Sequence, residues 1–192
     1  MPTILPFPRA RRAAPRFEAL LRPHLEYLHR LAWRFTGNSA DAEDLVQDVL
    51  LKLYPLTAEL AAIEAPRPWL ARVLYREYID LVRRRARRPM EQTAGTQGED
   101  PLDAVPATAD GPEQLAERAQ WQERLQSALE RLNPGQRAVL TMHDIEGYSL
   151  EELEGVLETP LGTLKSRLHR ARARLRELLP MELFPDRKRV NG

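Results

Sequence analysis

Ser166, His169 and Arg170 lie within a basic run that also carries Lys165, Arg167, Arg172, Arg174 and Arg176 and has no acid between residues 165 and 176. Hydroxyl, imidazole and guanidinium groups grouped this way can hydrogen-bond to base edges, while flanking cations meet phosphates. A second basic run, residues 67–88, holds eight arginines against Glu77 and Asp80. Arg72, Arg76 and Arg83 share one helical face there, and with Arg67 and Arg84 they could track a nucleic-acid strand. A third set has the opposite sign. Asp41, Asp44 and Asp48, with Gln47 and Leu51, form an acidic face with an embedded aliphatic side chain. Charges that help a helix start account for Asp41 and Asp44. They do not account for Leu51, which suits a docking face for a basic protein partner.

These are recognition chemistries, and no catalytic set accompanies them. His24, His29, His143 and His169 make no metal-ligand pattern, and the chain has no cysteine. No nucleophile–base motif or glycine-rich phosphate loop is present. The expectation is a protein without enzymatic activity, metal or cofactor.

Helices must position these groups, and the expected fold class is all-α. Leu21, Leu25, Leu28, Ala32 and Phe35 follow helical spacing up to Gly37. Asn38 or Ser39 can cap the next helix, which buries Val46, Val49, Leu50 and Leu53. Pro66 and Pro68 open a third, with Leu70, Leu74, Tyr78 and Leu81 on one face, and Pro89 stops it. Residues 89–112 are rich in Gly, Pro, Ala, Thr and acids and read as a flexible acidic linker. Beyond it a helix from Glu113 bears Trp121, Leu125, Ala128 and Leu132. Asn133-Pro134 with Gln136, and Ser149 with Glu152, are two capping boxes. Thr159-Pro160 starts the last helix, with Leu164, Leu168, Ala171, Leu175 and Leu178 as its buried stripe. Ser166, His169 and Arg170 point away from that stripe. Residues 149–179 thus have the layout of a helix-turn-helix.

At this point a family resemblance is carried by particular residues. Glu146-Gly147-Tyr148-Ser149, Glu151-Glu152-Leu153 and the run Gly162-Thr163-Leu164-Lys165-Ser166-Arg167-Leu168-His169-Arg170-Ala171-Arg172 closely resemble the carboxy-terminal domain of extracytoplasmic-function sigma factors. Independently, Asp41-Ala42-Glu43-Asp44-Leu45-Val46-Gln47-Asp48 resembles that family's polymerase-binding segment. Pro68-Trp69-Leu70-Ala71-Arg72 and Ile79-Asp80 with Arg83-Arg84 resemble its minus-ten segment.

The resemblance implies a sigma region 2 domain over 16–88 and a sigma region 4 domain over 113–180, with tails at 1–15 and 181–192. It implies that Thr163, Lys165, Ser166, Arg167, His169, Arg170 and Arg174 face the minus-thirty-five element, and that Arg67, Arg72, Arg76, Arg83 and Arg84 face the minus-ten element. Asp41, Asp44, Gln47, Asp48 and Leu51 would face core RNA polymerase, docking on the clamp helices of its largest subunit, while another contact falls on the flap of the second-largest. Promoter DNA and an anti-sigma factor are the further implied partners. Trp69 reads as core rather than as a stacking platform.

Two positions depart from the family pattern. Glu154 stands where a small residue is usual, beside Leu150, Leu153 and Leu157, so Glu154→Ala is expected to stabilise. Glu158 stands near the turn where Gly is common, and is expected in a left-handed conformation.

Composition is consistent with this reading. The 192 residues are 43% hydrophobic and 30% charged, with a net charge of +1, so the sign segregation carries the information rather than the total. No apolar run approaches the about 20 residues that span a bilayer, and the start lacks a signal-peptide core. A cytoplasmic protein that does not insert into a membrane is expected. A stand-alone helix-turn-helix regulator would explain 149–179 but neither the acidic helix nor the arginine track. A sigma-like mimic that titrates an anti-sigma factor need not keep a basic last helix.

Overall fold

The computed structural model describes residues 16–87 and 112–179, and all regular structure among them is helical. The expected tails and most of the expected linker lie outside the described residues. The helices are α1 (Phe17–Leu21), α2 (Leu25–Thr36), α3 (Ser39–Leu53), α4 (Thr57–Leu60), α5 (Pro66–Arg87), α6 (Pro112–Glu130), α7 (Pro134–Leu140), α8 (Leu150–Val156) and α9 (Leu161–Leu178).

Local chemistry sets the boundaries. Gly37 ends α2 at φ 89°, a conformation that costs glycine little. The Asn38 side chain then caps α3 by accepting from the Asp41 N–H at 2.7 Å. Both capping boxes form: Asn133 with Gln136 opens α7, and Ser149 with Glu152 opens α8. Between them, residues Thr141–Ile145 form a π-helical turn that carries α7 into Gly147, at φ 80°. Pro160 leads into α9.

In the first half α2, α3 and α5 pack on one another around Leu28, Leu31, Phe35, Leu45, Val49, Leu70 and Leu74. Phe35 stacks on Tyr78 with ring centroids 4.9 Å apart. In the second half α7 and α8 pack on α9, burying Leu140, Met142, Leu153, Leu164, Leu168 and Ala171. Several expected core positions differ: Leu25, Leu50, Leu81, Leu125 and Leu178 are half-buried, and Trp121 is 41% exposed. α6 meets the body through its later turns, where Gln126, Ala128 and Leu129 are buried, so Trp121 lies outside the contact.

The two halves are closed on each other. α2 touches α6 and α7, and α5 touches α7 and α8. Arg137 is buried at this junction and donates to the backbone oxygens of Leu129 at 2.8 Å and Phe35 at 2.5 Å. Burial pushes its guanidinium pKa down, against opposing pulls from Tyr78 and Glu130.

Candidate nucleic-acid and polymerase interfaces

α9 presents the outward face that its periodicity dictates. Leu164, Leu168 and Ala171 are buried, whereas Lys165, Ser166, His169, Arg170 and Arg174 are exposed and Thr163 is half-buried. Arg170 is held along the helix: its Nε donates to the Ser166 carbonyl at 3.2 Å, and its Nη2 lies 3.4 Å from the Ser166 hydroxyl. Arg174 pairs with Glu177 at 2.7 Å, and Arg172 pairs with Asp144. Arg167 departs from the outward set. It is half-buried, reaches the Thr159 hydroxyl at 3.5 Å, and covers Gly135, where an added Cβ would come 3.2 Å from Nη1. The closed packing of the halves also sets it against Tyr75.

The start of α9 is fixed in a way the sequence did not announce. Glu154 is exposed at the edge of the α8 stripe, and its Oε1 accepts from the Leu161 N–H at 2.9 Å. The carboxylate therefore serves one of the first N–H groups of α9, which has no side-chain bond from its own N-cap Pro160. The expected misfit of Glu154 is overturned by this contact. Glu158 does adopt the left-handed conformation, at φ 48°.

On α5, the arginines proposed for the minus-ten strand are occupied. Arg72 and Arg76 both donate to the Glu158 carboxylate, with Arg76 Nε 3.3 Å from Oε2. These contacts hold the Glu158 carboxyl below its usual range, Arg72 first and Arg76 second. Arg67 lies 4.2 Å from the Tyr27 ring centroid and 3.1 Å from Glu146 Oε2. Arg83 pairs with Asp80 at 3.5 Å and Arg84 with Asp48 at 3.6 Å. Trp69 is half-buried against the core.

On α3, Asp44, Gln47 and Leu51 are exposed, Leu51 to 73%. Asp41 and Asp48 are half-buried beside α5, with Asp41 held by Arg85. The Arg85 hydrogen bond outweighs burial and lowers the Asp41 pKa.

Sequence reasoning missed the junction between the halves. The Glu146 side chain is only 3% exposed, and it accepts from Arg30 at 3.5 Å, from Arg67 and from Arg34. The Tyr27 and Tyr148 hydroxyls lie 2.8 Å apart. Burial and this contact push the Tyr27 phenol pKa up. Glu146 and Tyr148 lie within the run Glu146-Gly147-Tyr148-Ser149, but nothing local marks a partner that lies 112 residues away, as Arg34 does from Glu146. Among the described residues no cluster of His, Asp and Glu could hold a metal ion.

Comparison with known proteins bears on this arrangement. The model for sigma-70 region 2 matches residues 20–88, and that for sigma-70 region 4 matches residues 122–175. An ECF RNA polymerase sigma factor, SigM of Mycobacterium tuberculosis, is 36% identical over 163 residues, covering 85% of this chain and 76% of SigM. The chain belongs to the ECF sigma factors. A second relative, SigE of Mycolicibacterium smegmatis, is 37% identical over 172 residues. That alignment covers 87% of this chain and 63% of SigE, so the chain spans less than two thirds of that relative. Among solved structures, a similar one is the sigma factor RpoE in complex with the anti-sigma factor NepR from Bartonella quintana. Its TM-score is 0.64 at 26% identity, covering 84% of this chain and 95% of that one. In this ECF sigma factor the region 2 match contains α2, α3 and α5. The region 4 match takes in the helix-turn-helix of α8 and α9.

Proposed function

We propose that this chain binds core RNA polymerase and directs it to specific promoters as an alternative sigma factor. The observation that carries the reading is that one chain holds both sigma-70 matches in order, and that each match coincides with a chemically suited face. Asp44, Gln47 and Leu51, with Asp41 and Asp48 at the rim, are the proposed polymerase contact, on the clamp helices of the largest subunit. A region 4 contact with the flap of the second-largest subunit is proposed from the family resemblance. Arg67, Arg72, Arg76, Arg83 and Arg84 are proposed to hold the minus-ten strand. Thr163, Lys165, Ser166, His169, Arg170 and Arg174 are proposed to read the minus-thirty-five element, with Arg167 joining them when the halves separate.

The chain by itself catalyses nothing in this reading; nucleotide transfer belongs to the polymerase, and no cofactor is needed. An anti-sigma factor is a proposed partner, supported by the similar RpoE structure, which holds one. Action alongside polymerase places the chain in the cytoplasm, and no described helix is long and apolar enough to cross a membrane.

Run-off transcription with core polymerase and a candidate promoter tests the reading. A transcript that requires this chain supports it. A transcript only when another sigma factor is added would point to a helix-turn-helix regulator, and no transcript at all to a mimic that titrates an anti-sigma factor.

A further inference from the structure

The two faces proposed to touch promoter DNA cannot both do so in the closed chain. The minus-ten and minus-thirty-five elements are about 25 base pairs apart, or about 85 Å at 3.4 Å per base pair. In the closed chain Glu158, three residues before α9, is hydrogen-bonded to Arg72 and Arg76 in the middle of α5. The 24 residues between Arg87 and Pro112 can reach at most about 80 Å. That length allows the halves to separate widely, and the Glu158 contacts must break for them to do so.

Glu158 is also poorly explained by its own domain. It takes a positive φ of 48°, which a glycine would adopt without strain. Its side chain makes hydrogen bonds across the junction, to guanidinium groups of the other half. A carboxylate that accepts from guanidinium N–H groups offers the same chemistry as a DNA phosphate. The fit is incomplete, because the Arg72 Nε is buried without a hydrogen-bond partner. The contact occupies the arginines in the closed chain, and it leaves a donor that would gain from release.

We propose that Glu158 is an internal competitor for the promoter strand: in the closed chain its carboxylate occupies Arg72 and Arg76, and it must leave before they can take a phosphate. The helix-turn-helix thereby masks the minus-ten face until the halves part, and strand and carboxylate exclude each other at those arginines. This inference rests on the promoter reading for the identity of the strand, and on the geometry alone for the latch.

The test uses the full chain, which has no native cysteine, labelled with a dye pair at Ala40→Cys and Arg176→Cys, both exposed positions. Energy transfer reports separation of the halves, and anisotropy reports binding of a short single-stranded deoxyoligonucleotide. Two variants are compared with the parent. Glu158→Gln removes the charge, and Glu158→Gly also relaxes the turn, so failure to fold cannot explain a shared result. Both should lower energy transfer and tighten oligonucleotide binding about five- to tenfold, the lower range for coupled sites. Unchanged transfer or unchanged binding in both variants overturns the proposal. Run-off transcription with the parent chain judges the promoter reading separately: loss of that reading leaves the change in energy transfer standing, and a chain that transcribes but shows no change loses the latch alone.

Discussion

The Glu154 carboxylate accepts a hydrogen bond from the backbone N–H of Leu161, seven residues ahead, at 2.9 Å. A side chain of α8 thus supplies the acceptor that the N-terminus of α9 lacks at Pro160. Glu154→Ala is therefore expected to destabilise the chain by about 1 kcal/mol, the usual cost of deleting such a cap. A urea melt of both proteins at neutral pH measures it. Equal or greater stability in the variant would show that the cap contributes nothing.

Glu146 sits with three arginines and almost no solvent. Deleting it leaves cations facing one another, one of them, Arg34, buried. Glu146→Ala should cost about 3 kcal/mol, in the range for breaking a buried charge pair from one side. The comparison is again by denaturant melt. A loss below about 1 kcal/mol, the scale of a surface pair, would mean that the junction is wetter than its geometry implies.

Leu51 is an exposed leucine on a charged helix. Its truncation removes nothing from the core, so Leu51→Ala should leave the melting curve in place. It should weaken binding to core polymerase by more than about 1 kcal/mol, as an apolar anchor would. Asp44→Lys should act in the same direction by charge repulsion. Titration of labelled polymerase reads both; wild-type affinity in both variants would remove α3 from the interface.

Arg170 is aligned by Ser166 on the outward face of α9. Arg170→Ala should alter base preference in the upstream element, at about 1–3 kcal/mol for a good contact. Arg174→Ala should weaken all promoters alike and flatten the salt dependence. Selection from randomised promoters distinguishes the two, and identical preferences for wild type and Arg170→Ala would place the reading face elsewhere.

Asp41 has a lowered pKa because Arg85 donates to it. A depressed carboxylate pKa adds stability that is complete above the ordinary aspartate value and is lost as pH falls through the depressed one. Asp41→Asn should therefore be less stable than wild type at neutral pH, with the gap closing in acid. Melts between neutral and acidic pH would show this, and a gap that stays constant would show that the Asp41 charge is not the source of the loss.

The features legible in the sequence are those whose cause is local. Asn133 with Gln136, Ser149 with Glu152, and Gly37 each signal a boundary through groups within a few residues, and each forms as its spacing requires. The left-handed Glu158 was legible for the same reason. Long-range features were not. Glu146 and Arg30 lie 116 residues apart, and no periodicity links them. Glu154 looked misplaced because its partner is a backbone N–H that only the folded turn brings near. Arg167 has the spacing of an outward cation, yet its side chain folds back onto Thr159 and Gly135 of its own half and meets Tyr75 of the other.

The π-helical turn at Thr141–Ile145 adds to this picture a question of phase. A π turn fits one more residue into the span than an α-helix would, and such turns act as single-residue insertions. Here the extra residue comes just before Glu146, which meets α2, and before everything that leads into α8 and α9. Losing it would return α7 to ordinary winding and swing whatever follows by about 100° around the helix axis. The buried carboxylate would then miss its arginines, and the reading face would point in another direction. A single codon's deletion is thus enough to re-aim the whole helix-turn-helix.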